Sequence, residues 1–173
     1  MKKRCFCLAC IAVLMACGPG RSPEQDRNYN EITALEKQLA NPQDSSRIRE
    51  NALLLVSKAA DYAKQYPEDA NSAELLYRAG EAAKNAKEYS KAIEAWRQVS
   101  QDYKQHEKAP LALFHQASTF DAELQNPAMA AKLYKEFLKT PVSDSQLVRQ
   151  AKGRLDALHS VKPEKLVKNL ETE

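Results

Sequence analysis

Cysteine thiols are the most reactive side chains in this 173-residue chain, and all four lie within its first 17 residues: Cys5, Cys7, Cys10 and Cys17. A thiolate can bind a metal ion, form a disulfide or attack an electrophilic carbon. The spacing Cys5-x-Cys7-x-x-Cys10 is similar to a metal motif, but these residues belong to an apolar run, which argues against that interpretation. Because no cysteine follows Cys17, the rest of the chain can hold neither a disulfide framework nor a cysteine-based metal site.

The segment that carries these cysteines has the order of a secretory signal peptide. Basic residues 2–4 precede an apolar run over residues 5–16, and a small residue ends that run. The run is shorter than the roughly 20 residues that cross a bilayer. Residues 18–20, Gly-Pro-Gly, cannot continue a helix. The sequence therefore predicts a signal peptide over residues 1–16, with a buried core helix as the alternative.

The end of the run, Leu14-Met15-Ala16-Cys17, resembles the lipobox of bacterial lipoproteins. The resemblance implies cleavage between Ala16 and Cys17 and attachment of acyl chains to Cys17, whose thiol is the nucleophile that the lipid donor alkylates. Each buried methylene contributes about 0.8 kcal/mol, so two or more chains hold a protein stably on a bilayer. We therefore expect a membrane anchor at Cys17 that needs no transmembrane helix.

Loss of the signal peptide would remove the apparent basicity of the chain. Three of the 26 basic side chains lie at residues 2–4 and no acidic one is lost, which leaves 23 basic against 23 acidic side chains. A nucleic-acid-binding protein is expected to carry a basic patch or stripe, and the sequence has none. We therefore predict no nucleic-acid partner.

The histidines give no catalytic motif. His106-Glu107 begins like the H-E-x-x-H zinc signature, but the fifth position is Pro110, so the second ligand is missing. His115 and His159 are isolated in the sequence, and no G-x-S-x-G or P-loop segment occurs. Carboxylates alternate with Lys and Arg as on a solvated helix face. We expect no enzymatic activity, no metal site and no cofactor.

The elements that would position any site are helices. Glycine is scarce, with four residues, helix-forming residues dominate, and no period-2 pattern indicates a strand. Apolar stripes with a 3.6-residue period, together with proline and capping signals, predict helices over 29–40, 46–66, 72–86, 91–104, 109–124, 127–139 and 145–159, and a short one after Pro163. The predicted N-terminal caps are Asn71, Asn126 and Ser143. Residues 17–28 are expected to form a flexible tether after the lipidated cysteine, unless Ser22, Pro23 and Gln25 start an earlier helix.

Two segments of the chain repeat with an offset of 38 residues. Leu76-x-x-Ala79-Gly80 aligns with Phe114-x-x-Ala117-Ser118, and Ala92, Trp96 and Val99 align with Ala130, Tyr134 and Phe137. We expect the small residues to let two helices approach, Gly80 against Ala92 and Ser118 against Ala130. The aromatic residue of each unit would fill the gap towards the next hairpin.

This pattern resembles the tetratricopeptide repeat, most clearly over residues 72–104 and 110–141. It departs from the family in its offset, which is longer than 34 residues, and in Ala83 and Asp121, which stand where the family has tyrosine. The resemblance implies an all-α fold in which antiparallel helical hairpins stack as a right-handed solenoid over residues 29–160. Residues 161–173 would form a C-terminal helix or tail. An unrelated helical bundle is the alternative.

The resemblance also implies a function. Stacked hairpins present a concave surface that binds partners, and in this family exposed positions of each first helix line it. Carried over by position, these are Tyr77, Glu81, Lys84, Asn85, His115, Thr119 and Glu123. Segments 88–96 and 108–113 resemble repeats of periplasmic proteins that assist outer-membrane protein assembly or act with the Tol-Pal system.

We therefore expect a non-catalytic adaptor that binds an envelope protein or peptide. A lipid-anchored protein that binds a small molecule or glycan is the alternative. Gly18 is not the aspartate of an inner-membrane retention signal, and residues 18–24 carry no acidic cluster. Both observations favour the periplasmic face of an outer membrane.

Overall fold

Helices account for most of the residues that the structure describes. The computed structural model describes residues 20–42, 44–141 and 144–160. Within these residues the chain forms no strand and seven α-helices: α1 (Pro23–Ala40), α2 (Ile48–Gln65), α3 (Ser72–Asn85), α4 (Tyr89–Asp102), α5 (Lys108–Ala122), α6 (Pro127–Phe137) and α7 (Ser145–Ser160). The all-α prediction is confirmed. The predicted signal peptide, Cys17 and the tail over 161–173 lie outside the described residues.

Helix α1 begins six residues earlier than the stripe of apolar residues predicted. The Ser22 hydroxyl accepts a hydrogen bond from the Gln25 backbone N–H at 3.1 Å, and Pro23 occupies the first turn. Both features favour helix initiation because they satisfy or remove donors that a first turn leaves free. The prediction of a flexible tether is therefore wrong over residues 23–28, and the alternative of an early helix is confirmed.

Local capping explains where the other helices start. Asn126 Oδ1 accepts from the Met129 N–H at 3.0 Å, as predicted. Asn71 was expected to act in the same way, but its own N–H and side-chain amide donate to Asp69 Oδ1 at 2.7 and 2.8 Å, and it makes no capping bond. At α7, Asp144 Oδ1 accepts from the N–H groups of Gln146 and Leu147. The predicted cap Ser143 lies outside the described residues.

The helices pack in chain order, and a second set of contacts divides them into two layers. Each helix packs against the next, while α1 also contacts α3, α3 contacts α5, and α2 contacts α4. Side-chain ion pairs join successive odd-numbered helices: Glu36–Arg78, Glu74–Lys108 and Asp121–Arg154. Arg49 and Glu88 form the corresponding pair between α2 and the start of α4. The odd-numbered helices therefore form one layer, to which we refer as the odd-helix layer.

Small residues dominate the interior between the layers. Half of the buried apolar residues among the described part of the chain are alanines. The remaining space is filled by a few large side chains, chiefly Tyr62, Trp96, Tyr134 and Phe137. Alanine lets helix backbones approach closely, so each of these aromatic rings has many neighbours, and truncating it would leave a cavity.

Gly80 makes room for the Trp96 side chain. A Cβ atom on Gly80 would lie 2.7 Å from Trp96 Cδ1 and 2.8 Å from Cε2, and it would be closer still to Nε1. The indole is fully buried, and its N–H donates to the Tyr77 carbonyl at 3.1 Å. The predicted reach of the aromatic side chain towards the next hairpin is confirmed, since Trp96 stacks on His115 of α5 with ring centroids 5.1 Å apart.

Candidate partner-binding surface

The residues predicted to line a groove lie together on the odd-helix layer. Four are on α3, two are on α5, and Glu123 directly follows α5. The structure brings Tyr77 and His115 into contact, with 2.8 Å between the tyrosine hydroxyl oxygen and His115 Nε2. These two residues occupy the same position in the two repeat units. Equivalent positions of consecutive units therefore meet across the α3–α5 boundary.

Two of the predicted groove residues are buried. Tyr77 is 6% exposed and Thr119 is fully buried. The Thr119 hydroxyl donates to the His115 carbonyl one turn earlier, at 2.8 Å. Tyr77 is covered from α5 by His115 and by Lys108, whose Nζ lies 5.4 Å from the centre of the tyrosine ring. The expectation that these two positions are exposed is therefore wrong, because α3 and α5 pack more closely than sequence spacing can indicate.

His115 joins three helices. Its ring stacks on Trp96 of α4, bonds to Tyr77 of α3 and is carried by α5. Burial, followed by the nearby Lys84 ammonium, lowers the pKa of His115 to about 4. The imidazole is therefore uncharged at neutral pH, and it contributes a hydrogen bond and packing to the site.

The hydroxyl of Tyr77 is held in its protonated form. Burial raises the pKa of Tyr77, and the negative charges of Glu81 and Glu74 raise it further. The pKa of Glu81 is raised as well, first by desolvation and then by Glu74, while Lys108 opposes the change. The group therefore contains one carboxylic acid, Glu81, and one phenol, Tyr77, with raised pKa values, together with a neutral histidine.

Four of the predicted groove residues are accessible and can contact a partner. Glu81, Asn85 and Glu123 are exposed, and Lys84 is half-buried. These side chains offer both charges and an amide at the surface of the odd-helix layer. They can hydrogen-bond to the backbone or side chains of a polypeptide, and none of them is a nucleophile paired with a base.

A cleft between α5 and α7 was not predicted from the sequence. It has a volume of about 570 Å³ and an aromatic floor made by Phe114 and Tyr134. Asp121 at its side accepts two hydrogen bonds from Arg154, at 2.7 and 2.8 Å. Burial and the Asp121 charge raise the pKa of Tyr134 to about 12. The only sequence signal for this cleft is Gly153 within a helix, where a Cβ atom would meet nothing within 4 Å.

Two further grooves lie near the carboxyl ends of the even-numbered helices. We refer to the packed helices α1–α7 as the array. One groove lies between the carboxyl ends of α2 and α4, and the other lies between the α4–α5 loop and the end of α6. They share residues 104–106. His106 Nδ1 accepts from the Lys108 N–H at 3.2 Å, so the His106-Glu107 segment forms the turn that starts α5. Of the zinc-like segment, only His106 and Glu107 lie in a turn, while residues 108–110 form the first turn of α5, so an interpretation of the whole segment as a loop is wrong for those three residues.

The described part of the chain contains no group of three or more His, Cys, Asp or Glu residues placed to hold a metal ion. None of its helices combines the length and the apolar character that crossing a bilayer requires. Comparison of the chain with family models, with curated proteins and with solved structures finds no match.

Proposed function

We propose that this protein is a lipid-anchored, non-catalytic adaptor of the bacterial cell envelope that binds a protein or peptide on its odd-helix layer. The observation that carries the proposal is the contact between Tyr77 and His115, which joins equivalent positions of two consecutive units. Helical hairpins that repeat in this way extend by stacking, and stacked hairpins form continuous binding surfaces. A right-handed solenoid of tetratricopeptide type is the arrangement that we propose for the seven helices.

The membrane anchor in this proposal is Cys17. Its support is the Leu14-Met15-Ala16-Cys17 sequence behind a basic and apolar segment. Acyl chains on Cys17 would hold the protein at the periplasmic face of an outer membrane. Mass spectrometry of the mature N-terminus tests this step. A Cys17→Ala variant should be folded but no longer membrane-bound, and a variant that fractionates with membranes as the wild type does would contradict the anchor.

The partner surface in this proposal consists of Glu81, Lys84, Asn85 and Glu123, extended by the cleft between α5 and α7. All of these features lie on the odd-helix layer. A polypeptide that crossed α3, α5 and α7 would meet charged and amide groups first and an aromatic floor next. Such a surface combines polar groups that set orientation with apolar area that excludes water.

Affinity capture and crosslinking in intact cells test the partner surface. The informative variant is Glu81→Arg combined with Glu123→Arg. The matched control is Glu50→Arg, which reverses one charge at an exposed position of α2. We expect the double variant to lose a neighbour that the wild type and the control both retain. A neighbour retained by all three proteins would place the binding surface elsewhere, and a reproducible absence of any neighbour would contradict the adaptor role.

A second candidate function is binding of a small molecule or glycan. The aromatic floor of the α5–α7 cleft favours it, because sugar rings and apolar ligands pack on aromatic side chains in concave sites. Thermal-shift measurements with envelope glycans and with peptides distinguish the two candidates. Stabilisation by a glycan that Arg149→Ala, at the exposed rim of the cleft, abolishes would favour the second candidate.

A further inference from the structure

The N-terminal segment is fastened to the loop between α2 and α3. Arg21 Nε donates to Asp69 Oδ2 at 3.0 Å, and the guanidinium lies 4.0 Å from the centre of the Tyr29 ring. The Gln25 side chain donates to both Tyr62 and Asp69. The Tyr62 hydroxyl donates to the same Asp69 oxygen at 2.8 Å. We refer to these contacts among Arg21, Gln25, Tyr62 and Asp69 as the clasp.

Asp69 is the centre of the clasp and remains charged. Its side chain is 9% exposed. Burial alone would raise the pKa of Asp69, but the hydrogen bonds from Asn71, Arg21 and Tyr62 outweigh it and hold the pKa well below its usual range. Hydrogen bonds to an ionised carboxylate are shorter and stronger than neutral ones. The clasp therefore holds residue 21 on the surface of the array at neutral pH.

This attachment shortens the linker between the lipid proposed on Cys17 and the array. The linker is then residues 17–21. Four peptide units separate Cys17 from Arg21, and a chain spans at most about 3.6 Å per residue. The linker therefore allows at most about 14 Å between these two residues. A flexible tether up to residue 28 would reach on the order of 40 Å by the same rule. The array is therefore held beside the bilayer instead of ranging freely above it.

The clasp also selects which end of the array is close to the anchor. The start of α1, the α2–α3 loop and the α4–α5 loop lie at one end, since Arg21 contacts Asp69 and the Tyr103 hydroxyl donates to the Ala63 carbonyl at 3.3 Å. The turns α3–α4 and α5–α6 lie at the other end, which carries the exposed side chains of Leu124 and Met129. We call these the proximal and the distal end.

We propose that the clasp orients the protein on the lipid surface, with the proximal end against the bilayer and the distal end directed away from it. The inference rests on the lipidation of Cys17 proposed above. It goes beyond that proposal because an anchor alone sets no orientation. One consequence is that the apolar Leu124 and Met129 side chains face away from the membrane and are accessible to a partner.

Energy transfer to a lipid acceptor tests the orientation. The acylated protein is reconstituted in phosphatidylcholine vesicles that carry an acceptor in the headgroup layer. A donor is attached to Ala70→Cys at the proximal end or to Ser90→Cys at the distal end, both of which are exposed positions. Labelling is specific because no cysteine follows Cys17 in the sequence. Helix α3 has 14 residues, so the two sites should differ by about 20 Å in distance from the acceptor layer at 1.5 Å per residue.

We expect strong transfer from position 70 and much weaker transfer from position 90. Asp69→Asn removes the central charge of the clasp and should narrow the difference between the two labels. The matched control is Asp61→Asn, the same chemical change at an exposed position of α2, which should leave the difference intact. Arg21→Gln removes the charged clasp residue nearest to Cys17 in the sequence and should have the same effect as Asp69→Asn. It therefore provides a second test if Asp69→Asn folds poorly.

Three outcomes overturn the proposed orientation. Equal transfer from the two labels in the acylated wild-type protein means that the array has no preferred end, and an unchanged difference in Arg21→Gln means that the clasp does not set it. The mass of the N-terminal peptide is measured on the same sample. A protein without acyl chains overturns both the anchor and the orientation, whereas equal transfer from an acylated protein overturns the orientation alone.

Discussion

Replacing each of two helical glycines by alanine should change stability in opposite directions. Gly80 and Gly153 both lie inside helices, and alanine in a helix interior is favoured over glycine by about 0.5–1 kcal/mol. At Gly153 a Cβ atom would meet nothing within 4 Å. The Gly153→Ala change should therefore add about 0.5–1 kcal/mol to the free energy of unfolding.

At Gly80 the same methyl group enters occupied space. It would lie 2.7 Å from Trp96 Cδ1, a distance at which the indole has to move. The indole is fully buried, donates to the Tyr77 carbonyl and stacks on His115, so any shift disturbs both contacts. Overpacking costs about 1–3 kcal/mol and a weakened buried hydrogen bond about 1–3 kcal/mol, against a helix gain of about 1 kcal/mol. We expect a net loss on the order of 1–5 kcal/mol.

Urea denaturation followed by far-ultraviolet circular dichroism measures both free energies. The slope of the transition should be unchanged, since neither variant alters the surface exposed on unfolding. If Gly80→Ala proved as stable as Gly153→Ala, the contact between Gly80 and Trp96 would not constrain the fold and the reasoning would be refuted. Adding Trp96→Phe to Gly80→Ala completes a double-mutant cycle. The smaller ring should recover part of the lost free energy of unfolding if the clash causes that loss.

Three further predictions concern single side chains. Trp96→Phe alone should lower the free energy of unfolding by about 1–3 kcal/mol, because the buried Tyr77 carbonyl loses its side-chain donor; no change in urea denaturation would contradict this. His115 has its pKa lowered to about 4 by burial and Lys84, so the unfolded chain binds the extra proton first and stability falls as the pH drops from the ordinary value of 6.5 towards 4. His115→Gln should remove that part of the fall, and parallel stability profiles of variant and wild type would be the opposing result. Arg154 is 54% exposed but the Asp121 side chain is only 6% exposed, so Arg154→Gln removes donors from a nearly buried carboxylate and should cost about 1–3 kcal/mol. It should also speed amide exchange in α7 relative to α3, and the Arg97→Gln control in α4 should not.

Much of the secondary structure could be predicted from the sequence. The predicted helices that correspond to α2–α7 each start and end within two residues of the observed ones, because apolar stripes, prolines and caps act within a few consecutive residues. Asn126 with Pro127 is an example, since the capping bond and the fixed proline backbone both belong to one turn. The start of α1 was misplaced because residues 23–28 carry no apolar stripe, although the Ser22-Pro23 signal was present.

Contacts between distant segments were not predictable in the same way. Arg21 and Asp69 are 48 residues apart and Tyr77 and His115 are 38 apart, and no local pattern states that either pair will meet. The same limit explains why Tyr77 and Thr119 were taken as exposed and why the α5–α7 cleft was missed. Their burial depends on how far one helix is rotated and displaced against the next.

The sequence by itself determined which residues are helical, which small and aromatic positions repeat, and where a cysteine follows an apolar run. Those properties depend on backbone propensity and on side-chain spacing along one chain segment. Only the tertiary structure decided that Gly80 accommodates Trp96, that His115 is kept neutral and that the presumed tether is clasped to Asp69. These outcomes depend on the distances between helices, and the packing of all seven helices determines those distances together.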